Sequence, residues 1–351
     1  MKRATLTSAG VAVAATAVLG AALMPAAQAA GRDSRTTSTT TTYAGIPEAV
    51  HPAADLAAKT PGSGPGWSDS IYINSMVKAD GHKFGVLVQT LNQPNVDSRQ
   101  MLVTVSDQKT GWYKSYRGAI AKDDYTWSTK GLNIKMPGLT WTGDAHKMSV
   151  KATTPWGSLD FQLKNKGPAL KYAGTGSFPL LGDTQYEYAF PSMRTTGTLA
   201  VRGKTHKVSG ETWLDRQWGG LSLNDKAMHW TWMDLRLSNG DKVAVWDFGN
   251  SKTGNSWATV LHPDGSYELA AVKPLADGAH RFWTSPTSGK TYPTRWSVDI
   301  PSLKAHLAVR VTGTDAQDEG GGAYEGTISA AGTYEGKKVT GEAYVEMVGT
   351  W

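Results

Sequence analysis

At 351 residues with no cysteine, the chain can hold neither a disulfide framework nor a thiol nucleophile, yet it is long enough to bury a substantial core without covalent staples. Its 36 Lys and Arg against 30 Asp and Glu leave a formal charge of +6. The basic residues are scattered rather than interleaved with aromatics, which argues against a nucleic-acid partner and reads instead as solubility with a weak pull toward acidic surfaces.

In chain order, residues 1–30 have the layout of a secretory signal peptide. Lys2 and Arg3 precede an apolar stretch from Ala9 to Met24, and the small residues of Pro25-Ala-Ala-Gln-Ala-Ala30 place cleavage after Ala29 or Ala30. The apolar stretch is short of the ~20 residues a spanning helix needs. This predicts an exported protein, extracellular or associated with the cell envelope. Residues 31–66 follow as a Thr/Gly/Pro-rich linker expected to be disordered. It carries Thr36-Thr-Ser-Thr-Thr-Thr-Thr42 and Thr60-Pro-Gly-Ser-Gly-Pro-Gly66, with room for a short helix around Glu48–Lys59.

From Trp67 the pattern changes to short runs rich in β-branched and aromatic residues, among them Lys83–Gln89, Met101–Val105, Thr198–Val201, Val243–Asp247 and Leu307–Val311. Turn signals separate them, including Ala79-Asp-Gly81, Ser238-Asn-Gly240 and Pro263-Asp-Gly265. Long apolar patterns of helical period are absent beyond the leader, so the fold class is all-β, built as barrels or sandwiches. Fourteen Trp against six Phe exceed what packing alone requires. Trp213, Trp218, Trp230 and Trp232 cluster as the wall of a cavity for an elongated or polycyclic apolar ligand.

The most informative segment is Val208-Ser-Gly-Glu-Thr-Trp-Leu-Asp-Arg-Gln-Trp-Gly219. As a strand it puts Glu211, Trp213, Asp215 and Gln217 on one face and Thr212, Leu214, Arg216 and Trp218 on the other. A carboxylate beside indole and away from bulk water stays protonated near neutral pH, which suits a general acid. Asp215 therefore reads as a general acid or as a structural carboxylate, and Glu211 as a solvent-facing carboxylate or a partner of Asp215. His229 reads as a proton relay or a simply hydrogen-bonded strand histidine. Tyr186 and Tyr188 are candidates to orient the polar end of a ligand. Eight His without a close pair, and no Cys, give no zinc spacing, so neither a metal nor a cofactor is expected. The G-x-S-x-G elbow of hydrolases and any phosphate-binding glycine loop are absent.

The segment Val208–Gly219 resembles the V-S-G-x-x-W-x-D-x-x-W-G signature of the carotenoid 1,2-hydratase (hydroxyneurosporene synthase) and AttH-like group, whose domains are lipocalin-like. Further stretches agree: Gln185–Arg194 with Gly197-Thr-Leu199, Trp230–Gly240, Thr291–Trp296, Tyr324–Ile328 and Val339–Gly349. The resemblance implies two consecutive lipocalin-like β-barrel or sandwich domains, taken as 67–220 and 221–351, and an apolar isoprenoid or polyketide-like ligand. It also implies that Asp215 stands at the position of the family's proton donor, in a hydratase or lyase that adds water to a carbon–carbon double bond. A non-catalytic carrier of hydrophobic ligands and a cell-envelope attachment protein are the competing expectations.

Overall fold

The computed structural model describes residues 49–349, apart from 65, 222 and 321; the expected signal peptide and the Thr-rich run lie outside the described residues. All the strand pairings described below are antiparallel, as period-2 runs joined by tight turns require. Asp80 and Gly81 both have positive φ (52° and 74°), the geometry of a two-residue turn that matches strand twist. They join Trp67–Ala79 to His82–Gln93. Arg202-Gly203 does the same between Asp183–Val201 and Lys204–Gly220.

The strands form two sheets, one of thirteen and one of nine. The first runs, in spatial order, from Trp112–Ala119 through Ser98–Asp107, His82–Gln93, Trp67–Ala79, Lys204–Gly220, Asp183–Val201, Gly157–Asn165, Lys147–Thr154, Leu139–Gly143 and Leu132–Met136 to Thr126–Trp127, with the short strands Leu170–Lys171 and Ser177–Leu180 pairing to Asp183–Val201 off this path. Its core joins residues from near both ends of that order, Val103 and Val105 with Trp127, Ile134 and Trp141, so the sheet curls around its own interior. The second sheet begins with Tyr267–Ala271, Gly254–Leu261, Lys242–Gly249 and His229–Leu237. It continues through Lys337–Gly349, Ala323–Tyr334, Ala305–Val311 and Thr291–Ile300 to Ala279–Thr284. Its own core includes Val245, Val260, Trp296, Val298 and Val345. The five runs singled out in the sequence all fall within strands. The all-β, lipocalin-like fold expected from the sequence is the observed one. Burying each such Val, Leu, Ile or Phe stabilises the fold by roughly 1.5–3 kcal/mol relative to exposure.

A third apolar layer positions the site. Tyr72, Leu87 and Leu102 from the first sheet, with Tyr172, Phe178 and Trp213, pack against Trp230, Trp232, Trp246, Phe248 and Tyr344 of the second. The two sheets therefore meet face to face through aromatics.

Residues 49–64 differ from the disordered linker expected of them. The segment forms turns rather than a helix, with Val50 and Leu56 fully buried in the first core. Its carbonyls explain the order: Trp127 Nε1 donates to Leu56 O, and Arg216 donates through Nε to Asp55 O and through Nη2 to Ala57 O, at 3.0 Å each. Composition alone does not reveal such an anchor, because the donors come from residues 71 to 161 positions away.

Candidate active site

The strand Lys204–Gly220 lies between Trp67–Ala79 and Asp183–Val201, and its alternation decides everything that follows. Leu214 and Trp218 face the first core, with Arg216 between them. Trp213 and Asp215 face the layer between the sheets, with Gln217 beyond them on the cavity wall. The strand closes at Gly219, whose φ of 140° and whose distance of 2.4 Å from an added Cβ to Thr184 O leave no room for a side chain.

Asp215 is buried. Its Oδ1 accepts hydrogen bonds from the Tyr172 hydroxyl at 2.8 Å and from Trp213 Nε1 at 3.0 Å, and Trp232 Nε1 donates to that same tyrosine oxygen at 3.0 Å. Its Oδ2 is buried without a hydrogen-bond partner. Loss of hydration pushes the Asp215 carboxyl well above the usual range, against the opposing pull of its two donors and with help from Asp234 and Glu346. A buried carboxyl with one oxygen satisfied and the other bare favours its protonated form, the form a general acid needs.

Asp215 lines a cavity of about 480 Å³ between the sheets, within the size range of small-molecule sites. Trp230, Trp232 and Trp246 from the second sheet and Tyr72 from the first form its aromatic part. Tyr72 and Trp213 both meet Trp232 edge to face, at 5.7 and 6.3 Å between centroids. Ser70, Gln89, Gln100 and Gln217 contribute hydroxyl and amide groups from the first sheet. Four further acids, Glu187, Glu319, Glu325 and Glu346, complete the wall. Glu187 stands opposite Gln217 in register, and burial followed by its neighbours Asp215 and Glu346 drives its carboxyl well above the normal range. Glu325 and Glu346 face one another across adjacent strands of the second sheet. Behind this wall Asp234, paired with Arg236 at 2.6 Å, is pushed up to about 6 by burial.

Of the residues singled out in the sequence, the structure brings together Asp215, Trp213, Trp230 and Trp232. The others lie elsewhere. Trp218 packs in the first core with Tyr186 stacked on it at 5.6 Å and Lys59 Nζ 4.8 Å from its ring. Tyr188 is fully buried in that same core. Tyr186 and Tyr188 oppose Trp218 and Arg216 in register and so share their face, which points away from the cavity. Glu211 is 63% exposed at its side chain and 4.0 Å from Lys242 Nζ. His229 has its Nδ1 3.0 Å from Ala227 O in an exposed setting and is not part of the cavity wall.

The residues that sequence reasoning missed had signals of unequal strength. Glu187 sits between Tyr186 and Tyr188, so period 2 sends it to the face opposite theirs. Glu325 and Glu346 lie in Tyr324-Glu-Gly and Tyr344-Val-Glu, acids flanked by positions that bury. Tyr172 carries no sequence signal; it belongs to a short 3-10 turn 43 residues before Asp215.

The raised Glu187 carboxyl has a measurable consequence. A folded-state value above the unfolded one, about 4.3, contributes stability that is fully present below that value and is lost as pH rises through the raised one. Glu187→Gln removes the liability. Its urea midpoint relative to the parent is therefore expected to rise as the pH climbs above about 4.3; parallel curves would contradict the assignment.

A model of the AttH-like family matches residues 89–350. The chain belongs to the AttH-like family. Among characterised relatives, this AttH-like protein is 27% identical over 216 residues to the dehydratase asqC of Emericella nidulans, covering 57% of this chain and 61% of that protein. It is 28% identical over 206 residues to the kievitone hydratase of Fusarium solani subsp. phaseoli, covering 54% and 57%. The matches thus span about three fifths of each relative's length. The crystal structure of kievitone hydratase from Nectria haematococca superposes with a TM-score of 0.75 at 22% identity, over 90% of this chain and 97% of that one, a likeness of fold.

Proposed function

We propose that this AttH-like protein adds water to a carbon–carbon double bond of a small apolar molecule, or removes it in the reverse direction, in the cavity between its two sheets. The observation that carries the reading is Asp215: a buried carboxyl on the wall of an indole-lined cavity, with Oδ1 fixed by Tyr172 and Trp213 and Oδ2 unbonded. Asp215 gives its proton to one carbon of the double bond. The neighbouring carbon becomes cationic, and the π faces of the cavity tryptophans lower the energy of that charge. Attack by water on the cation, with loss of one of that water's protons to a base, completes hydration, and microscopic reversal of these steps gives dehydration. The hydratase and dehydratase among the relatives support the same reaction class. Tyr172 and Trp213 act as positioning residues, since both bind the Asp215 oxygen that does not carry the proton. The leader read in residues 1–30 supports export of the protein.

Kievitone, named by one relative, is the first compound to test. Incubation with the purified protein is expected to give a product heavier by one molecule of water by mass spectrometry, with the added oxygen drawn from heavy-oxygen water. Recovery of unchanged compound, with tryptophan fluorescence quenched by its binding, would favour a carrier over an enzyme.

A further inference from the structure

Hydration needs a base as well as an acid, because the attacking water must lose a proton. The second sheet supplies a pair of carboxyls suited to that task. Glu325 on Ala323–Tyr334 and Glu346 on Lys337–Gly349 are register partners; Glu325 is buried and Glu346 half-buried, and both line the same cavity as Asp215. Their surroundings differ. Glu346 Oε1 accepts a hydrogen bond from Trp230 Nε1 at 2.7 Å. Glu325 Oε2 has the Tyr72 hydroxyl at the longer distance of 3.4 Å. Two carboxyls side by side on such a wall do not readily both ionise, and the charge settles where the better donors are. Burial drives Glu325 well above the usual range and raises Glu346 less strongly, with Trp230 and Glu325 itself as the donors that oppose it. The other titratable and charged groups that act on Glu346 or share its cavity are Asp215, Glu187 and Tyr72 from the first sheet, Arg117 at its edge, Lys290, Glu319 and Tyr344.

We infer that Glu346 is the base of the site, held as a carboxylate by the Trp230 indole N–H and by a proton it shares with Glu325. The inference rests on the hydration reading above. In that reaction the Asp215 proton forms the new C–H bond with the π electrons. A lone pair of water forms the new C–O bond, and the proton released from that water passes to Glu346. Alkene and water become alcohol; the enzyme is left with one proton moved from Asp215 to Glu346, and exchange through solvent restores both. Glu325 is a positioning residue, acting through the carboxylate it steadies.

Two measurements on the full chain test this. With carbon-13-labelled glutamate carboxyls, assigned through Glu325→Gln and Glu346→Gln, the parent is expected to show Glu346 ionised and Glu325 protonated at pH 7. Two carboxyls that titrate independently near the ordinary glutamate value, or a protonated Glu346, would overturn the pairing. With kievitone as the probe, Glu346→Gln is expected to lower kcat by about 10²–10⁴-fold, leave KM nearly unchanged and abolish the acid limb of the pH profile. Glu325→Gln, whose amide can donate to Glu346 but cannot share a proton with it, is expected to move the acid limb of the pH profile; a limb left where the parent has it would count against the pairing. Should Glu346→Gln fail to fold, Glu346→Asp keeps the carboxylate and is expected to retain part of the turnover with the acid limb intact; loss of that limb would count against the base. Absence of turnover in the parent would overturn the hydration reading of the whole site. Turnover that Glu346→Gln leaves intact would overturn the base assignment alone.

Discussion

Replacing Arg216 with Met is expected to destabilise the protein by about 3–5 kcal/mol, the usual result of breaking a buried ion pair from one side. The guanidinium is fully buried. It meets the Asp69 carboxylate at 2.5 Å, donates to the carbonyls of Asp55, Ala57, Ser70 and Gln217, and lies 4.5 and 4.9 Å from the rings of Trp127 and Trp218. Methionine fills part of the volume but leaves Asp69 charged and buried, and strips four carbonyls of their donor. Urea unfolding followed by tryptophan fluorescence measures the loss. Proteolysis should cut first within residues 49–64, two of whose carbonyls are held to the sheet by Arg216. Adding Asp69→Asn should recover part of the stability by removing the uncompensated charge. An Arg216→Met midpoint equal to the parent's would show that the arginine is not the anchor of this segment.

Asp215→Asn is expected to reduce turnover by about 10²–10⁴-fold, the usual worth of a general acid, while ligand binding and stability change little. The amide is isosteric, and its oxygen still accepts from Tyr172 and Trp213, so the local hydrogen-bond network survives. What it lacks is a proton that can be delivered to carbon. Because the interaction is made only in the transition state, the loss should fall on kcat rather than KM. The amide also removes an acid that burial makes costly to ionise, so stability at alkaline pH should equal or exceed the parent's. A loss confined to KM would instead assign Asp215 to ligand binding.

The alternation of the segment Glu211–Gly219 was legible in the sequence, and with it the separation of Trp213 and Asp215 from Arg216 and Trp218. The chemistry of a carboxyl beside indole was legible too. Less visible was which layer each face would meet. Trp218, Tyr186 and Tyr188 are aromatic and buried or half-buried, as expected, but composition cannot distinguish a barrel interior from a cavity wall. That choice is made by register: Tyr188 stands opposite Arg216 and follows it into the first core. The partners of the cavity acids were hidden for a related reason. Asp215 meets Tyr172 across 43 positions, and Tyr72 meets Glu325 across 253, so the site exists only once the two sheets have closed on each other. Residues 49–64 illustrate the same limit, since their order comes from donors supplied by distant strands rather than from any propensity of their own.

Delivery of a proton from Asp215 to carbon inside the cavity leaves an isotopic record when hydration of kievitone is run in deuterated water. The expected product carries one carbon-bound deuterium, placed on a single face beside the carbon that gains the hydroxyl, and Asp215→Asn forms it at a small fraction of the parent's rate. A hydrated product with no carbon-bound deuterium, with deuterium on both faces, or formed equally fast by Asp215→Asn, would contradict the account.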